Sequence, residues 1–132
     1  MNKGFSLVEL IVVIAIMAIL VGVAVPVYTQ YISSANTNVD KQTVGEVEHA
    51  IEVLLIDPEV TNPTITSGDI TLTLSGETFA WASGVTDTNS EFLNALKAIV
   101  PDVELKSGKI ITFTLNTTTL TVQSDVETQL GE

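Results

Sequence analysis

Residues 4–28, GFSLVELIVVIAIMAILVGVAVPVY, set the terms for the whole 132-residue chain. From residue 5 to residue 27 they hold a single charge, Glu9, and a single hydroxyl, Ser6. That length matches the roughly 20 apolar residues an α-helix needs to cross bilayer hydrocarbon. Eleven of the residues from Leu10 to Val25 are Leu, Ile or Val. They favour insertion by roughly 3–7 kcal/mol, against a cost of at most about 3 kcal/mol for Glu9. The segment therefore inserts, and its carboxylate needs a partner.

Lys3 is the one basic residue ahead of the run, and the excess of cations on cytoplasmic flanks places the N-terminus inside. A secretory signal would also have a charged start and small residues, here Gly22 and Ala24, near a cleavage point. Three features oppose that alternative: the run exceeds the usual apolar core of about 7–15 residues, Pro26 follows the candidate site closely, and an acid lies inside the core.

Several of these residues stand in a fixed register. Gly4 before Phe5, Glu9 four residues on, and then Pro26 and Tyr28 resemble the class III leader and N-terminal segment of type IV prepilins and pseudopilins. The likeness covers about 28 of the 132 residues. It implies a leader, residues 1–4, removed on the cytoplasmic face by a prepilin peptidase that cuts between Gly4 and Phe5 and N-methylates Phe5. Residues 5–28 would then be a membrane and assembly helix, and residues 29–132 a globular domain. The implied function is that of a pilus subunit, the major pilin, with roles in adhesion, motility or biofilm. A pseudopilin of a type II secretion or competence system is the alternative within the family, and a singly anchored or secreted binding domain the alternative outside it. The implied partners are other copies in a helical filament, the peptidase, an assembly ATPase and an inner-membrane platform. The subunit would be a single-pass protein of the cytoplasmic membrane before assembly and part of a surface filament afterwards.

In that setting Glu9 acquires a role. Cleavage creates a cationic amine at Phe5, and between laterally associated chains the amine of one can meet Glu9 of the next, neutralising two charges that are costly when buried. Phe5, Glu9 and Pro26 are thus the expected assembly residues. Many family members carry glycine where this chain has Ala18, and Gly22 lies one turn later. Unwinding during assembly is therefore expected between Ala18 and Pro26.

Past Tyr28 the helix is expected to continue to about residue 56, some 52 residues and roughly 78 Å, with a bend or fraying in the weakly helical patch SSANTN at 33–38. Val44, Val47, Ile51, Leu54 and Leu55 recur at spacings of three and four, an apolar stripe that something in the same chain must cover. Asp40, Lys41, Glu46, Glu48 and Glu52 fall mainly on the other sides, and Asp57-Pro58 ends the helix.

The cover is a sheet. Strands are expected at 69–74, 78–82, 109–115 and 119–124, where apolar residues alternate with threonine. Ser75-Gly76 turns the first pair, and Asn116 to Thr118 turns the second, with Leu120 and Val122 facing Ile111, Phe113 and Leu115. Between the hairpins, Thr88 and Glu91 form a capping-box pattern ahead of Phe92, Leu93, Leu96 and Ile99 at helical spacing. The fold class is α+β: a long N-terminal helix against a small antiparallel sheet, as the resemblance to type IV pilins also implies.

The chemistry of other classes is missing. Sixteen acids against five lysines, with no arginine, give a net charge of −11, which repels nucleic acid. There is no cysteine, hence no disulfide, thiolate metal site or cysteine nucleophile. His49 stands alone between Glu48 and Ala50, and no nucleophile elbow, phosphate-cradling glycine loop or zinc motif occurs. No catalytic, cofactor-binding or metal residue is assigned and no enzymatic activity is expected. The acidic loops 57–59 and 102–104 lack a full calcium ligand pattern. Trp81 reads as core or sheet surface. Asn116 opens an NTT triplet that suits either a glycan acceptor or a plain turn.

Overall fold

A computed structural model describes residue 4 and residues 6–131. Helix α1 runs without interruption from Leu7 to Ile56. The patch at 33–38 is helical, not bent open. The chain nevertheless divides inside it, between Ala35 and Asn36, into two compact units.

The first unit, residues 1–35, contains a helical stretch apolar on every side. Its large side chains from Leu7 to Val27 are between 49% and 73% exposed. An apolar 18-residue stretch of α1 has none of its residues buried. Such a surface is long and apolar enough to cross a bilayer.

The second unit, residues 36–132, folds around the amphipathic remainder of α1. After the helix come two-residue strand β1 (Thr64–Ile65), β2 (Ile70–Ser75), β3 (Thr78–Trp81) and two-residue strand β4 (Val85–Thr86). Helix α2 (Glu91–Ile99), β5 (Ile110–Asn116), β6 (Thr121–Ser124) and a short helix α3 (Val126–Leu130) complete it. The main sheet is antiparallel, in the order β3-β2-β5-β6, and β1 pairs with β4 separately. The four main strands lie within a residue or two of the expected spans. The β1–β4 pair and α3 were not foreseen, because segments of two to five residues fall below the length at which periodicity declares itself.

Register explains the core. Ile70, Leu72 and Leu74 stand opposite Leu115, Phe113 and Ile111, so both central strands bury one face while the intervening threonines are half-buried on the other. Val44, Val47, Ile51, Leu54 and Leu55 of α1 join them in one cluster with Phe92 and Leu96 of α2. The apolar stripe of α1 is covered as its spacing required.

Three local expectations are corrected. Leu120 does not face the core: it sits in the β5–β6 turn at φ +59 and 37% exposed, and Val122 alone faces Leu115. Ile99 is likewise 47% exposed at the end of α2. The Thr88–Glu91 capping box does not form. Asn89 and Ser90 turn through left-handed geometry, φ 56 and 55, and the cap comes from Asp87. Its Oδ1 accepts the Phe92 N–H at 3.0 Å, and its Oδ2 accepts the N–H of Leu93 at 3.0 Å and the Trp81 indole Nε1–H at 3.1 Å. Trp81 also packs on Phe92, ring centroids 5.7 Å apart, a structural role. Asp87→Ala should therefore cost about 1–2 kcal/mol, while Thr88→Ala stays within about 0.5 kcal/mol. Urea unfolding followed by Trp81 emission measures both, and equal losses would refute the assignment of the cap.

Candidate assembly segment

A buried carboxylate is the least expected feature of the second unit. Asp40, assigned from the sequence to the polar sides of α1, is fully buried. Its Oδ1 accepts the Lys106 N–H and its Oδ2 the Ser107 N–H, each at 2.7 Å. Two short charge-assisted bonds offset its desolvation. They fix the loop ahead of β5, whose Leu105 is buried and donates its N–H to the Gly76 carbonyl at 3.0 Å. Asp125, just past β6, ties the same end of β5, accepting the Thr112 N–H at Oδ1, 2.8 Å, while Ser124 donates its hydroxyl to Glu48 of α1. Carboxylates and packing hold a chain that has no disulfide.

At the start of α1, Glu9 is exposed and bound within its own chain. Its Oε2 accepts the Ser6 N–H at 3.2 Å, and the Ser6 Oγ accepts the Glu9 N–H at 3.2 Å. This reciprocal pair is a capping box, satisfying two amides that a helix start leaves without partners. The S-x-x-E spacing at 6–9 carried the signal for it. Gly4 is exposed, and Phe5 lies outside the described residues, so the proposed cleavage point is described on one side only.

Further along, Ala18, Gly22 and Pro26 are exposed on continuous helix. Pro26 has no N–H, so the carbonyl of Gly22, four residues earlier, lacks its helical donor. The Pro26 carbonyl accepts the Thr29 hydroxyl at 2.9 Å. Gly22 faces open space, with nothing outside its own helix backbone within 4 Å of the position a Cβ would take. The helical bond that Pro26 cannot donate thus falls on the one glycine of the segment past Ser6.

His49 is exposed on α1. No group of three or more His, Asp or Glu side chains converges among the described residues. Glu104, in one of the acidic loops, instead pairs with Lys106 at 3.8 Å.

Residues 1–25 match the family model of the prokaryotic N-terminal methylation motif. The chain carries that motif. Around it, the chain is 43% identical over 77 residues to prepilin peptidase-dependent protein A of Clostridium perfringens, a match covering 55% of each chain. It is 39% identical over 57 residues to the type IV major fimbrial protein FimA of Dichelobacter nodosus, 43% of this chain and 36% of that one. With fimbrial protein Q of Moraxella bovis it shares 37% identity over 84 residues, 58% of this chain and 52% of that one. The chain spans about half or less of the length of the curated relatives it matches. No solved structure matches it. A methylation motif, an exposed apolar helix and an α+β unit stand together in one chain, and the motif-bearing segment is prepilin-like.

Proposed function

We propose that the chain is the structural subunit of a type IV pilus, its major pilin. In this proposal residues 1–4 are a leader that prepilin peptidase removes between Gly4 and Phe5, residues 5–28 span the membrane and later pack in the filament core, and residues 29–132 form the outer domain. The observation that carries it is Glu9, a carboxylate inside an exposed apolar helix and within the methylation motif.

Cleavage supplies what Glu9 lacks. The new amine of Phe5 pairs with Glu9 of the neighbouring copy and sets one subunit's axial position against the next, because a mismatched register leaves both charges buried and unpaired. Pro26, which cannot donate to the Gly22 carbonyl, marks where α1 opens in the filament, within 18–26. An assembly ATPase and an inner-membrane platform supply the work of extraction. The subunit waits in the cytoplasmic membrane with its N-terminus inside and ends in a surface filament.

Mass spectrometry of the N-terminus of the chain from its own cells tests this. A chain beginning at Phe5 and one methyl group heavier supports the proposal; an end near Val25, or an intact Met1, would overturn it in favour of a secreted or anchored domain. The relative named for its dependence on prepilin peptidase keeps a second reading in view, a pseudopilin of a secretion or competence system. Long surface filaments containing the chain would exclude that reading.

A further inference from the structure

Of the seven asparagines, at 2, 36, 38, 62, 89, 94 and 116, two have a hydroxyl residue two places on. Asn62 is followed by Pro63, which removes it from the N-x-S/T acceptor rule. Its amide is also occupied, donating to the Leu55 carbonyl at 3.3 Å in a part-buried setting. Asn116-Thr117-Thr118 alone satisfies the rule.

Its placement is that of an acceptor. Asn116 is the last residue of β5, exposed at the tip of the β5–β6 hairpin. Its Oδ1 accepts the N–H groups of Thr118 and Thr119, both at 2.9 Å, which turns the carbonyl toward the loop. The amide Nδ2 and the Thr118 hydroxyl, the two groups the acceptor rule names, make no hydrogen bond among the described residues.

A second feature points the same way. Residues 110–124, the whole hairpin, contain no charged side chain in a protein of net charge −11. Strand β6 is an edge of the sheet. Uncovered edges offer free backbone groups to other chains, and charged side chains are the usual deterrent. This edge has none, and a hydrophilic sugar at its tip would supply the missing protection.

We infer that Asn116 carries an N-linked oligosaccharide. The donor class is a lipid-pyrophosphate-linked oligosaccharide. The Asn116 Nδ2 forms a bond to the sugar C1, the C1–O bond to pyrophosphate breaks, the lipid pyrophosphate leaves with the bonding electrons, and one amide proton passes to a base of the transferase. The inference rests on export of the residues beyond the apolar segment, as proposed above.

Peptide mapping by mass spectrometry of the full chain purified from its own cells tests it. Cleavage after Lys109 leaves Asn116 in a piece with no internal lysine or arginine through residue 132. The expected result is a series of sugar-mass additions on Asn116, lost completely in N116Q and T118A and kept in T117A. An unmodified Asn116, or sugar located on Thr117, Thr118 or Thr119, would overturn it. The N-terminus read in the same experiment reports separately on the pilin proposal, so a bare Asn116 on a methylated, leaderless chain refutes the glycan alone.

Discussion

Asp40→Ala should lower the stability of the chain by about 3 kcal/mol, the largest loss expected from any polar substitution outside the apolar core. The side chain is fully buried, and both of its oxygens are taken by consecutive amides 66 and 67 residues away. Hydrogen bonds to a charged group contribute about 1.5–3 kcal/mol each, and a buried N–H left without a partner costs about 1–3 kcal/mol. Relaxation of the loop at 106–107 toward water returns part of that. Asp40→Asn should fall between the wild type and alanine, since its amide can accept one of the two N–H groups while its NH2 opposes the other. Urea unfolding of the full chain in detergent micelles, with Trp81 emission as the probe, measures all three. A loss below 0.5 kcal/mol for alanine would show that solvent replaces the carboxylate and that the clamp is ornamental.

Glu9→Ala should leave the chain synthesised, inserted and processed, yet reduce its incorporation into filaments by roughly a hundredfold or more. Breaking one side of a buried charge pair costs about 3–5 kcal/mol, and each 1.4 kcal/mol is tenfold in association. The capping box complicates the test, because Glu9 also holds the Ser6 N–H. Two further variants separate the roles. Ser6→Ala removes the reciprocal cap and should cost the helix start about 0.5–2 kcal/mol while leaving filament yield within a few-fold of normal. Glu9→Gln keeps a side chain that can cap but carries no charge, and should fail as alanine does. Filaments sheared from cells and quantified against total subunit give the yields. Assembly by Glu9→Gln at the normal level would end the charge-pairing proposal.

Much of the architecture was legible because it rests on periodicity. The spacing of Val44, Val47, Ile51, Leu54 and Leu55 named the buried face of α1, and the alternation of Ile70, Leu72 and Leu74 named a central strand. Asp40 was misplaced for the same reason: a pattern that sorts residues by polarity assigns every aspartate to water, and the amides that receive this one lie far along the chain. Capping shows the limit of local motifs. The same S/T-x-x-E spacing occurs at Ser6–Glu9 and Thr88–Glu91. It forms a reciprocal box at the first, where nothing competes, and fails at the second, where the preceding Asp87 offers a carboxylate to two helix amides and an indole at once. As for the candidate assembly residues, the sequence supplied a register of chemical types, and α1 adds that Glu9 is already engaged within its own chain.

Pro26 has a consequence for leaving the bilayer. Water would solvate the Gly22 carbonyl, whereas hydrocarbon would not, and a polar group without a partner there costs on the order of several kcal/mol until a neighbour reaches it. If it spans the membrane as proposed, a helix with this defect is less firmly dissolved in lipid than its apolar side chains alone would make it. In the proposed pilin, retention and release are thereby set by different atoms: side chains hold the segment in, and one backbone oxygen lowers the barrier to drawing it out.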